Sequence, residues 1–111
     1  MLSLLKPLNY VKNQSLTGAA DFAAEQVDVG LKVGYAIQAE WTSTSALTGT
    51  LKLQASNDGN VWSDLPSSQA IAGSSGSFIW NNSDIFYQYV RLFYAHTSGT
   101  GTLNANLIAK G

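Results

Sequence analysis

The chain's single histidine, His96, ends the run "FYQYVRLFYAH" and is followed by Thr97 and Ser98, with no acidic residue or second histidine close by. Nucleophilic triads assemble in three dimensions, so spacing alone does not exclude one. No nucleophile, base and orienting group stand out as a set, however. The expectation is a surface or interface histidine in a protein that is not an enzyme. Asp58 and Asp64 flank a turn and could act as a carboxylate pair or hold calcium. Calcium takes about six to eight oxygen ligands, and the neighbouring Asn57 and Asn60 add only amide oxygens. Asp58 and Gly59 are therefore read as turn formers and Asp64 as solvated. The stretch "GSSGS" lacks the lysine and the following helix pattern of a phosphate-binding loop and is read as a flexible connection. Cysteine is absent, which removes disulfides and thiolate metal sites. No metal site and no cofactor are expected.

Charge narrows the partners. Charged residues make up 12% of the 111 residues, with a net charge of −1, against roughly a quarter in ordinary soluble domains. The six basic residues, Lys6, Lys12, Lys32, Lys52, Arg91 and Lys110, are scattered and form no stripe that would neutralise a phosphate backbone. Nucleic acid is thus not an expected partner. The start, "MLSLLKPLNYVKNQS", is apolar only up to Lys6 and Pro7, short of a signal-peptide core, and no run approaches the roughly 20 residues of a membrane span. The expectation is a chain without export signal or membrane segment.

The elements that would position these residues are strands. In "YAIQAEW", Tyr35, Ile37, Ala39 and Trp41 share one face and Gln38, Glu40 and Thr42 the other, the period of a half-buried strand. "TSTSALTG" reads as a loop. "TLKLQAS" repeats the alternation with Leu51, Leu53 and Ala55 inward, and Asn57, Asp58, Gly59 and Asn60 supply a hairpin turn that would bring Trp62 into the core. Two short strands separated by Gly73 to Gly76 follow. Then comes a long strand through "FYQYVRLFYAH", a turn at "TSGTGT" and a last strand "LNANLIAK". Upstream, "TGAADFAAEQVDVG" reads as a loop or short helical turn leading into a strand from about Gln26. Residues 1–14 read as an extended arm or edge strand, and residues 15–111 as one domain. The whole is an all-β, antiparallel β-sandwich of about eight strands with a jelly-roll-like arrangement.

The long strand is aromatic on both sides. Tyr87, Tyr89, Arg91 and Phe93 lie on one face and Val90, Leu92 and Tyr94 on the other, so something must cover the second face. Tyr, Trp, Phe and Arg are enriched at interfaces, where Lys, Glu and Asp are depleted. Trp41, Trp62, Trp80, Tyr87, Tyr89, Phe93 and Tyr94 are accordingly read as core or interface aromatics and Arg91 as an interface charge, in a homo-oligomer of three or more copies.

"SNDGNVW", with "LKLQAS" before it and "YQYVRLFY" later, resembles discoidin-like (coagulation factor 5/8 type C) β-sandwiches. The chain departs from them in having no cysteine and only short polar loops. From Tyr35 to Gly111 it also resembles small proteins encoded among the structural genes of bacteriophages. The phage resemblance implies a virion structural protein, of capsid, capsid-decoration, spike or tail type, made in the host cytoplasm and assembling with itself and with other virion proteins. The discoidin resemblance implies the alternative, a carbohydrate-binding module for host-surface glycans.

Overall fold

The computed structural model describes residues 8–17, 21–83 and 85–110. They form eight strands and no helix: β1 (Leu8–Leu16), β2 (Phe22–Ala23), β3 (Val27–Asp28), β4 (Gly34–Ser56), β5 (Ser63–Asp64), β6 (Gln69–Ala72), β7 (Gly76–Ser83) and β8 (Tyr89–Lys110). All pairings are antiparallel, and all eight strands belong to one hydrogen-bonded sheet.

Two strands set the architecture. β4 has 23 residues and β8 has 22, and they pair from Gly34↔Lys110 to Ser56↔Tyr89. Straight, such a strand would reach about 76 Å at roughly 3.3 Å per residue, yet the molecule is only 46 Å in its longest dimension. The pair must therefore bend. It does so at the register shifts between Ser43 and Gly49, opposite the stretch from His96 to Gly101.

The ladder slips by one residue across the bend. On one side Ile37 faces Leu107 and Trp41 faces Leu103; on the other Leu51 faces Tyr94 and Leu53 faces Leu92. Side chains alternate along a strand, so a one-residue slip switches which parity points inward. That is how even-numbered Leu92 and Tyr94 and odd-numbered Leu103 and Leu107 all reach the same core.

Folding at the bend produces two layers that share their central strands. β1, the second half of β8, the first half of β4 and β7 form one. The other is made of β2 and β3, the first half of β8, the second half of β4, and β5 with β6. Their inner faces make one apolar cluster, with Ile37, Leu51, Leu53, Val90, Leu92 and Leu103 wholly enclosed. Opposite the bend, the far ends of the long strands are joined by the Tyr35 and Tyr87 hydroxyls, 2.6 Å apart. Tyr10 of β1 makes a second tie, accepting the Leu92 N–H and donating to the Glu25 carbonyl.

Several expectations are corrected. "TSTSALTG" is not a loop and "TSGTGT" is not a turn between two strands; both lie inside continuous strands, where they make the bend. Gly99, with φ of +80°, and Ala46, with φ of +46°, supply the local backbone reversals that a bulged corner needs. No helical turn occurs among the described residues before Gln26, where β2 and β3 instead add short edge pieces to β8. Of the expected arm, residues 1–7 lie outside the described residues, and Leu8–Leu16 pairs with β8 as an edge strand.

Candidate interaction surfaces

The residues singled out in the sequence separate into three places. Trp41, Trp80 and Tyr94 are buried in the shared core. Trp41 donates through Nε1 to the Ser74 carbonyl at 2.9 Å and Trp80 to the Ser67 carbonyl at 2.6 Å, so each buried indole N–H is satisfied. Tyr94 Oη sits 3.2 Å from the Thr48 carbonyl and 2.9 Å from His96 Nδ1. Burial, and then the nearby Asp21 carboxylate, raise the Tyr94 hydroxyl above its ordinary pKa.

His96 therefore stands at the bend. Asp21 reaches its backbone N–H at 2.8 Å, not its ring, and Nε2 is enclosed without a hydrogen-bond partner among the described residues. Among the described residues no hydroxyl lies within hydrogen-bond distance of that nitrogen. Among the described residues no group of three or more His, Cys, Asp or Glu side chains could hold a metal ion.

The second place is the outer face of the layer that contains the first half of β8. Trp62 is half-buried there and outside the core, contrary to the expectation that the hairpin turns it inward. The reason is pairing geometry. Gln54 lies opposite both Arg91 and Asp64, which puts the chain just before Ser63 beside the outward-facing Arg91. The Arg91 guanidinium lies 4.2 Å from the Trp62 ring centroid and 5.7 Å from that of Phe93. Its Nε donates to Gln54 Oε1 at 2.8 Å, and Gln54 in turn donates to Asp64. Asp64 is not simply solvated: it also pairs with Lys52 at 3.0 Å. Gln54 and then Lys52 hold its carboxyl below the usual carboxylate range. Tyr89 and Phe93, on the same strand face, are half-buried. The second face of the long strand is thus partly covered from within the chain, by Trp62 and Lys52.

The third place is the end of the molecule opposite the bend. Gln88 joins three segments there: its carbonyl accepts from Val29, its N–H donates to Asn57 Oδ1, and its amide donates to Asp28 Oδ1 at 2.6 Å. Asp58 organises the adjoining turn by accepting the N–H groups of Asn60 and Val61 at 2.9 and 3.0 Å, and Gly59 occupies a φ of +78°. The Val61 and Asn60 N–H groups, then the Ser56 hydroxyl, hold the Asp58 carboxyl below its usual range. Two open clefts flank the tyrosine pair, one of about 460 Å³ including Tyr87, Asp58 and Val61, the other of about 480 Å³ including Tyr35, Val33 and Ile108. Burial pushes the Tyr35 hydroxyl well up, as does its bond to Tyr87. Leu31, Val33, Val61 and Phe86 are exposed in the segments at this end.

No protein-family model and no curated protein matches the chain. Its fold does recur in solved structures of phage-derived proteins. The PBSX exported protein XepA superposes with a TM-score of 0.65 and 13% identity, over 98% of this chain and 36% of its own. The SPBc2 prophage-derived protein YomS superposes with a TM-score of 0.58 and 11% identity, over 97% of this chain and 95% of its own. The chain spans about a third of the first protein and nearly all of the second. At these identities the likeness is one of fold.

Proposed function

We propose that the protein is a structural component of a bacteriophage virion, a capsid, capsid-decoration, spike or tail protein that acts by assembling with copies of itself and with other virion proteins. The observation that carries this reading is the recurrence of the fold, over 97–98% of the chain, in two phage-derived proteins. A low-charge surface and apolar side chains exposed in several places suit a protein that works through contacts between subunits. The test is mass spectrometry of gradient-purified particles of the phage that encodes it. A virion component is present at a fixed ratio to the major capsid protein and stays with the particles through a second gradient. Loss of the protein from the particles refutes the reading.

The outer face gives the glycan alternative one specific support. Trp62, Phe93 and Tyr89 lie on one surface with two cations, Arg91 and Lys52. A sugar ring stacking there would alter Trp62 fluorescence, and an unchanged spectrum across a broad panel of host-surface glycans counts against it.

A further inference from the structure

A sheet edge offers unpaired backbone N–H and C=O groups to any strand that approaches, and soluble proteins block such edges with charges, bulges, prolines or very short strands. Among the described residues the two layers have four edges, and three carry those devices. β1 has Lys12, two register shifts between Asn9 and Gln14, and Asn13 at a φ of +49°. β2 and β3 are two residues each, and β5 and β6 are two and four, with Pro66 between them.

β7 has none. Its eight residues, "GSFIWNNS", include no charge and no proline. They pair with β4 in unbroken register from Gly34↔Ser83 to Trp41↔Gly76, and β7 has no second strand partner among the described residues. Ile79, in the middle of its outward row, is 56% exposed.

The order of side chains says what fits this edge. About Ile79 the strand is nearly symmetric: Phe78 and Trp80 flank it, small polar Ser77 and Asn81 come next, and Gly76 and Asn82 follow. Run antiparallel to itself about Ile79, the strand sets Phe78 against Trp80 of the second copy on the core side. It sets Ile79 against Ile79 on the outer side. From Ser77 to Asn81 aromatic meets aromatic, Ile79 meets itself and small polar residues meet each other, while Gly76 and Asn82 meet without a clash, and no charges are brought together.

We infer that β7 is an assembly edge that pairs antiparallel with β7 of a second copy across a two-fold axis, continuing the four-stranded layer into an eight-stranded one. The inference rests on the self-assembly part of the reading above.

The chain has no cysteine, so a single introduced thiol reports one position. In the paired edge, Ile79→Cys places two cysteines on facing strands with their Cα atoms about 4.5–5.5 Å apart, within the range that a disulfide spans. Gln38→Cys, one strand further in on the same outer face, leaves its two thiols about 14 Å apart at roughly 4.8 Å per strand. Mild oxidation is expected to give a covalent dimer with Ile79→Cys and none with Gln38→Cys. Ile79→Lys, on an exposed side chain, is expected to lower the light-scattering mass of the protein while leaving its circular dichroism unchanged. If Ile79→Cys stays a single chain, or Ile79→Lys keeps the unaltered mass, the β7 edge is not the interface; an assembly persisting in Ile79→Lys leaves self-assembly standing without it. A single-chain mass for the unaltered protein at every concentration overturns both.

Discussion

Three glycines at nearly the same backbone angle form an internal series that tests the bend. Gly73, Gly59 and Gly99 have φ of +87°, +78° and +80°, and alanine in that region costs about 1–2 kcal/mol. Their surroundings differ. A β-carbon at Gly73 meets nothing within 4 Å, and at Gly59 it meets the end of the Gln26 side chain at 3.1 Å, which can swing away. At Gly99 it would overlap the carbonyl oxygens of Ala46 and Ser45, backbone atoms of the partner strand at the corner. Overpacking of that kind adds about 1–3 kcal/mol. Gly73→Ala and Gly59→Ala should therefore each lose about 1–2 kcal/mol, and Gly99→Ala about 2–5 kcal/mol, by summing the two costs. Urea unfolding followed by tryptophan fluorescence measures this directly, because Trp41 and Trp80 are both buried. The slope of free energy against urea should be common to all three variants, so that midpoint shifts report stability. Equal losses at the three positions would refute the close crossing of β4 and β8 at the corner.

Removing the enclosed Leu53 side chain by Leu53→Ala should cost about 2–5 kcal/mol in the same assay. Tyr10, pushed up to about 12 mainly by burial, is held neutral in the fold. Its contribution is complete below the ordinary tyrosine value near 10 and is lost as pH rises towards about 12. Tyr10→Phe should flatten the alkaline loss of stability in that window, seen in urea midpoints against pH. The Asp58 carboxyl, held low by its turn, stabilises the fold above the ordinary carboxylate value of about 3.9, and that contribution disappears as pH falls through its lowered value. Asp58→Asn should make acid unfolding less steep there. Acrylamide should quench Trp62 preferentially; Trp62→Phe should remove most of the quenchable emission, and unchanged quenching would contradict its outward placement.

The rows Tyr35, Ile37, Ala39, Trp41 and Leu51, Leu53, Ala55 were legible because alternation reports a half-buried strand directly. That the chain reverses from Asn57 was legible because these residues have their own local chemistry, but Ala55 pairs with Ser63, so the connection runs through Trp62 and is longer than the four-residue turn expected. The corner was not legible. Ser, Thr and Gly between Thr42 and Thr48 and between Thr97 and Thr102 have the composition of loops, and only pairing with a distant strand keeps them extended. One signal did lie in the sequence: inward residues change from even-numbered Leu92 and Tyr94 to odd-numbered Leu103 and Leu107, while along β4 they stay odd. The Arg91 and Trp62 stack depends on how both segments align with Gln54, which no local pattern states. The tie from Tyr10 to Leu92 crosses between layers and is equally invisible locally.

Because β4 and β8 each run through both layers, neither layer is a unit that can melt alone. Opening one would tear strands that are the centre of the other, so amide exchange should slow together in both and be released in one global event. The same two strands join residues 33 positions apart at Ser56↔Tyr89 and 76 apart at Gly34↔Lys110. Closing the shorter loop costs less chain entropy. Pairing of β4 with β8 is then cheapest when it starts beside the Asn57 turn and advances towards the bend, with the first half of β4 joining the second half of β8 last.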